Sequence, residues 1–193
     1  MNENIQFLQA FLKNPGKVGS ITPSSPELAQ KMCEGISPDK DNVVLELGVG
    51  TGAITKFLQE IVPDDRSYLG IELDRDMARV LKKNFPDMQI VRGNACDASD
   101  IHKRSGTGKV SYIICCLPFV SLPNEVGDKI HLEIDKFMQQ GCTLRTFQYA
   151  HGFYMPSAIK FREFMRDRYG KAKKSQLIVK NVPPAYTLTW STK

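Results

Sequence analysis

The sequence predicts an α/β fold: an open, mainly parallel sheet with helices on both faces, a helical extension before it and an antiparallel hairpin at its end. Three observations predict it. From Asn42 onward, short apolar runs of strand length alternate with stretches whose apolar residues recur at helical spacing. The last two runs are joined at Pro183-Pro184, as in a hairpin. About forty residues of helix-like and loop-like sequence precede the first run. At 193 residues, with ordinary apolar and charged shares, the chain can form one such domain with a small appendage. We divide it into residues 1–40, helices and a covering loop, and residues 41–193, one compact unit.

Each element has its own signal. Ile5 to about Lys13 reads as an amphipathic helix, with Ile5, Leu8 and Leu12 on one stripe and Phe7 and Phe11 beside it, ended by Asn14-Pro15-Gly16. The loop VGSITPSS leads to a second helix, where Ser24 and Glu27 form a capping box and Pro26 sits in the first turn. Val43 to Leu47 is a buried strand, and Ile54, Phe57, Leu58 and Ile61 then fall at helical spacing. Ser67 to Glu72 is the second strand, followed by a helix carrying Met77, Val80 and Leu81. Gln89 to Val91 is the third strand and Val110 to Cys116 the fourth. A helix with Val126, Ile130, Ile134 and Phe137 follows, then the fifth strand, Thr143 to Tyr149. After a helix containing Phe161, Phe164 and Met165, two more strands, Gln176 to Val182 and Tyr186 to Trp190, bring the sheet to seven.

Composition removes several classes. No apolar run is long enough to span a bilayer, and the opening MNENIQFLQAFLKNPGK lacks a signal-peptide cleavage pattern, so residence in the cytoplasm is expected. The five cysteines form no C-x-x-C pair, and the three histidines show no ligand spacing, so neither a disulfide framework nor a bound metal is expected. Cys115 and Cys116, adjacent on a strand, point to opposite faces and cannot share a ligand position; buried free thiols are expected there. A net charge of +5 is a weak pointer to an anionic partner.

In open parallel sheets ligands sit at the carboxyl ends of the strands. After the first strand comes Glu46-Leu47-Gly48-Val49-Gly50-Thr51-Gly52-Ala53, whose glycines allow a tight turn and close approach of a ligand to bare backbone. Alone, this loop fits two cofactors. Gly48-x-Gly50-x-x-Ala53 satisfies a dinucleotide fingerprint, with Glu72 near the distance of a ribose-binding carboxylate. S-adenosyl-L-methionine is favoured by Glu46 at the strand's end, where a carboxylate can bond an ammonium, by the third glycine at Gly52, and by the long stretch before the first strand. Glu72, in GIELD, can accept both ribose hydroxyls; Asn94 can accept from the adenine amine while the Ala95 N–H donates to the ring.

After the fourth strand stands IICCLPFVSLP. Enzymes that methylate the exocyclic amines of bases commonly place Asn or Asp before a Pro-Pro or Leu-Pro pair here. Cys115 or Cys116 holds that position, and a thiol is a poor acceptor, so adenine chemistry is disfavoured. Phe119 offers a flat wall.

At this point the chain resembles a known family, the bacterial S-adenosylmethionine-dependent phospholipid N-methyltransferases, themselves distantly similar to ribosomal RNA adenine dimethyltransferases. The resemblance rests on FLKNPGKVGSITPSSPELAQKM, ELGVGTGAIT, GIELD, LPFVSLP, TFQYAHGFYMP and KNVPPA. It implies a Rossmann-like class I methyltransferase fold and methyl transfer to the amine of phosphatidylethanolamine and its methylated derivatives. It departs from the family's habit at Asn94, where Asp is commoner, and at the paired cysteines, where small residues are commoner. The cofactor contacts it implies are Ser20, Glu46, Gly48, Gly50, Thr51, Gly52, Glu72, Leu73, Asn94, Ala95, Cys116 and Leu117, with S-adenosylhomocysteine as product. On the acceptor side it implies Tyr149 orienting the amine, Phe119 and Tyr149 facing a methylated cation, and His151 or Tyr154 at the phosphate.

A lipid substrate implies an anionic or phosphatidylethanolamine-containing membrane surface as partner and peripheral attachment to it. The N-terminal apolar stripe with Lys13 and Lys17 suits an interfacial helix. Lys160, Arg162, Arg166, Arg168, Lys171, Lys173 and Lys174 suit an anionic surface. The same charges would suit RNA phosphates, so a methyltransferase for RNA or a soluble small amine is the second reading; a nucleic-acid partner is not expected.

Overall fold

The computed structural model describes residues 23–39 and 41–192. Ser20 and the expected N-terminal helix lie outside these described residues. In chain order the elements are α1 (Pro26–Cys33), β1 (Asn42–Leu47), α2 (Thr55–Gln59), β2 (Tyr68–Glu72), α3 (Arg75–Asn84), β3 (Ile90–Arg92), α4 (Ala98–Ser105), β4 (Lys109–Cys115), α5 (Asn124–Met138), β5 (Thr143–Tyr149), α6 (Pro156–Tyr169), β6 (Lys173–Lys174) and β7 (Ala185–Ser191).

The strands form one seven-stranded sheet in the order β3-β2-β1-β4-β5-β7-β6. β1 to β5 run parallel, and β7 inserts antiparallel between β5 and β6. β1 is buried at every position from Val43 to Leu47 because helices cover both faces, which is why its sequence is an apolar run without alternation. One core joins Val44, Leu58 and Leu81 to Leu28 and Met32 of α1; the other joins Leu45, Ile113 and Leu144 to Ile130 and Ile134 of α5 and Phe161 and Met165 of α6. The sheet thus carries α1 to α3 on one face and α4 to α6 on the other. Arg145 of β5 fastens α1 down by donating through Nη1 to the carbonyls of Met32 (3.0 Å) and Glu34 (2.6 Å) at that helix's end.

The structure departs from the sequence reading in several places. The cap of α1 is Ser25, whose Oγ accepts from the Leu28 N–H at 3.2 Å, rather than Ser24. Ile61 lies beyond α2 and Val80 is 56% exposed on α3, so neither belongs to its helix's apolar stripe. α4 carries no apolar periodicity in the sequence, because its polar stretch ASDIHKRS leaves only Ala98 fully buried.

The expected strand Gln176 to Val182 is replaced by the two-residue β6 and a single bridge from Ile178 to Ala185. Leu177, Val179 and Val182 point outward, so their apolar character is not a core signal. Buried Asn181 holds this segment instead: its Oδ1 accepts from the Ser25 N–H at 2.8 Å and its Nδ2 donates to the Pro183 carbonyl at 2.7 Å.

Candidate active site

The carboxyl ends of β1 to β5 open into one cavity, lined among others by Glu46, Gly48, Gly50, Glu72, Asn94, Cys116, Phe119, Gln148 and Tyr149. Because β3, β2, β1, β4 and β5 are neighbours in that order, the strand ends follow one another across the sheet. Four strand spacings make roughly 19 Å from one edge of this row to the other.

Glu46 sits at its centre, fully buried. Its Oε2 accepts from the Tyr68 hydroxyl at 2.6 Å and from Thr55 Oγ1 at 2.9 Å, while Oε1 has no partner. Burial pushes the carboxyl up to about 7, against the pull of the Tyr68 and Thr55 hydrogen bonds, and the Glu72 charge adds to the rise.

Gly50 has φ +59, and nothing stands within 4 Å of where a Cβ would project, so backbone faces open space. Its N–H donates to Glu72 Oε2 at 2.8 Å, and the Asp74 N–H donates to Oε1 at 2.9 Å. Gly48 is also left-handed, and a Cβ there would stand 2.6 Å from Leu117 Cδ2. Gly52 does not line the cavity; its missing side chain makes room for Phe85. Thr51, Leu73, Ala95 and Leu117 all line it. Asn94 lines it too, with Oδ1 already accepting from the Cys96 N–H at 3.0 Å, which caps a short turn before α4.

At the other end, Cys115 and Cys116 belong to opposite cores, as their adjacency requires. Burial pushes the Cys115 thiol up to about 12; burial, with the Glu46 charge, holds the Cys116 thiol well above its ordinary value. Neither is a thiolate nucleophile at neutral pH. Phe119 is buried and stacks on Phe161 at 4.5 Å. Tyr149 lies parallel to exposed His151 at 5.6 Å, and both line the cavity. Burial raises the Tyr149 hydroxyl above its ordinary pKa. Tyr154 is 80% exposed and outside the lining.

Sequence reasoning missed Gln148. Its Oε1 accepts from Arg162 Nη1 at 2.6 Å, which fixes the amide's orientation and leaves Nε2 buried without a partner in the cavity wall. The basic run also divides. Arg162 is half-buried, donates to the Phe153 carbonyl at 2.7 Å and stacks on that ring, while Lys160 pairs with Asp128.

Residues 1–141 match the ribosomal RNA adenine dimethylase family. The chain belongs to that family. It is 33% identical over 129 residues to an ornithine lipid N-methyltransferase of Singulisphaera acidiphila, covering 65% of this chain and 67% of that one. It is 32% identical over 114 residues to a ribosomal RNA small subunit methyltransferase A of Ralstonia nicotianae, covering 59% of this chain but only 36% of that one. In fold it is similar to magnesium protoporphyrin IX methyltransferase of Synechocystis PCC 6803, solved with bound S-adenosylmethionine, at TM-score 0.65, 10% identity and coverage of 100% and 99%.

This member of the adenine dimethylase family is therefore an S-adenosylmethionine-dependent methyltransferase of class I fold. Its residues fit that cofactor. The unpartnered Glu46 Oε1 is a buried acceptor for an ammonium, and the bare backbone at Gly50 leaves room for a ligand against the loop. Glu72 and Asn94 follow toward the β3 edge, where ribose and adenine would lie. Among the described residues no group of three or more His, Cys, Asp or Glu could hold a metal, and no helix is long and apolar enough to cross a membrane.

Proposed function

We propose that this chain is an N-methyltransferase for the amine head group of phosphatidylethanolamine and its methylated derivatives, acting at a membrane surface. One observation carries the reading. The cavity wall after β4 is Cys116-Leu117-Pro118-Phe119, with a thiol and an aromatic ring where an enzyme for base amines would present Asn or Asp. The coverage of the two relatives supports it, since the lipid enzyme is matched over two thirds of its length and the ribosomal enzyme over about a third.

The bound cofactor supplies an electrophilic methyl group. Glu46, ionised by its partner ammonium, would hold the methionyl end, Glu72 the ribose and Asn94 the adenine end. Leu117, Phe119 and Phe147 line the acceptor side, and their low polarity favours the neutral amine over its ammonium. Tyr149, kept protonated by burial, offers its hydroxyl to orient the nitrogen lone pair along the breaking sulfur–carbon bond. The proton leaves through the open mouth, where His151 stands against Tyr149. The methylated cation rests on the ring faces of Phe119 and Tyr149.

The test offers the chain methyl-labelled S-adenosylmethionine with phosphatidylethanolamine vesicles, ornithine lipid vesicles or ribosomal RNA. Label in extracted phosphatidylethanolamine is the expected result. Label in ornithine lipid alone moves the acceptor to another lipid amine, and label in RNA alone overturns the lipid reading.

A further inference from the structure

We propose that the two loops beside the cavity mouth, residues 150–155 and 175–184, form the face that this chain lays on a bilayer containing anionic lipid. The inference rests on the lipid-amine reading above and assigns the contact surface that this reading requires.

Large apolar side chains are exposed at few places among the described residues, and most of those places are here. Tyr154 is 80% exposed, Met155 43%, Leu177 38%, Val179 65% and Val182 68%, whereas elsewhere only Ile61, Val80 and Leu132 are so exposed, each on a different element or turn. The two loops are joined: the Ala150 N–H donates to the Pro184 carbonyl at 2.8 Å. Both reach the cavity, which His151 and Gly152 line from the first and Pro183 from the second.

The presentation is built rather than incidental. Asn181, 2% exposed, ties the second loop to the start of α1, which leaves Val179 and Val182 outside. Phe153 is held from beneath by Arg162, 3.9 Å from its ring centre, and by the edge of Tyr186, so its neighbour Tyr154 projects.

Charge selects the occupant. From Arg168 to Thr192 there is no acidic residue, and Arg168, Lys171, Lys173, Lys174 and Lys180 are basic. Lys174 and Lys180 are exposed beside these loops, Lys174 above the Phe153 and Tyr186 rings and Lys180 3.0 Å from Glu27 Oε1, while Arg168, Lys171 and Lys173 lie toward the opposite end of the sheet. Apolar tips with Lys174 and Lys180 beside the opening that admits the acceptor match the interface of an anionic membrane, where tips enter the acyl boundary and these lysines meet head-group phosphates. An RNA backbone would satisfy the lysines but would leave the aliphatic tips in water.

The test uses the full chain and vesicles of phosphatidylethanolamine and phosphatidylglycerol. The triple variant Leu177→Ser, Val179→Ser, Val182→Ser should sediment with vesicles at least tenfold more weakly than wild type. Its affinity for S-adenosylhomocysteine and its methylation of a monomeric short-chain phosphatidylethanolamine should match wild type. Separately, Val179→Trp should bind more tightly, and its fluorescence should be quenched by brominated lipid. Vesicle binding of the triple variant within twofold of wild type, an unquenched Trp, or a wild-type chain that stays in the supernatant overturns the inference. If the triple variant loses binding while wild type methylates no lipid, the docking face stands and the acceptor reading falls. If wild type methylates vesicles and the triple variant binds them equally, the docking face alone falls.

Discussion

The Tyr68 hydroxyl lies 2.6 Å from Glu46 Oε2, and both side chains are fully buried. The two residues face each other across the β1–β2 pair, where Glu46 stands opposite Gly70. With Thr55 on the same oxygen, Tyr68 turns the carboxylate so that Oε1 alone is left for a ligand. On the proposed reading, a cofactor ammonium would be met by an oxygen whose position is set from behind.

That arrangement makes cofactor binding pH-dependent. Folding without ligand favours the protonated carboxyl, because burial raises it from 4.5 to about 7. Glu46 therefore lowers stability as pH rises from about 4.5 to about 7, by at most about 3 kcal/mol. A ligand ammonium favours the ionised form, so S-adenosylhomocysteine should bind about tenfold more tightly at pH 8 than at pH 6. Calorimetric titration across this range checks it. In Glu46→Gln the slope should vanish and affinity at pH 8 should fall by tenfold or more, as expected for losing a charge-assisted hydrogen bond.

Gly70 makes room for the pair. A Cβ there would stand 2.5 Å from the Tyr68 hydroxyl and 2.9 Å from Val49 Cγ2. Gly70→Ala should destabilise the fold by about 1–3 kcal/mol, read from urea unfolding. Tyr68→Phe should cost about 1–2 kcal/mol, since Glu46 Oε2 loses its shorter bond. The double variant should cost less than the sum, because removing the hydroxyl relieves the closest clash. Strict additivity would mean that Gly70 does not serve the Tyr68–Glu46 contact.

Strand ends were legible in the sequence where one residue type carries the local requirement. Glu46, Gly48, Gly50 and Glu72, which the sequence singles out, line one cavity, and they stand out because a left-handed turn demands glycine and a strand-end acid in a ligand loop has few structural uses. Tyr68 and Thr55 were not legible. Their role depends on two strands lying side by side and on a helix folding over them, which no local pattern announces. Gln148 escaped for the same reason, since its orientation is set by Arg162 from another element. The segment from Gln176 to Val182 misleads because Leu177, Val179 and Val182 lie on the surface and only Ile178 packs against the core.

Asn181 closes one side of the site at two bonds. Asn181→Ala would leave the part-buried Ser25 N–H and the Pro183 carbonyl without their partners. A loss of about 2–3 kcal/mol is expected from thermal or urea unfolding. Because Pro23, Ser24 and Pro183 line the cavity, S-adenosylhomocysteine affinity should fall as well. Asn181→Asp keeps the acceptor for Ser25 but loses the donor to Pro183, and should fall between the two.

Cys116 separates two accounts of the loop after β4. A nucleophile requires an accessible thiolate, and burial with the Glu46 charge opposes one here. Cys116→Ala should therefore retain methylation of phosphatidylethanolamine within about fivefold, the change reflecting a modest loss of packing beside Glu46 and Tyr149. Tyr149→Phe should lose more in kcat than in KM, because its hydroxyl acts on the nitrogen as the bond forms. Loss of all activity in Cys116→Ala with unchanged S-adenosylhomocysteine binding would make the thiol a participant and overturn the account of this loop as a wall. If instead Tyr149→Phe raises only KM, the hydroxyl binds the head group without orienting the nitrogen, and that step of the mechanism passes to the backbone carbonyls of Cys116 and Leu117.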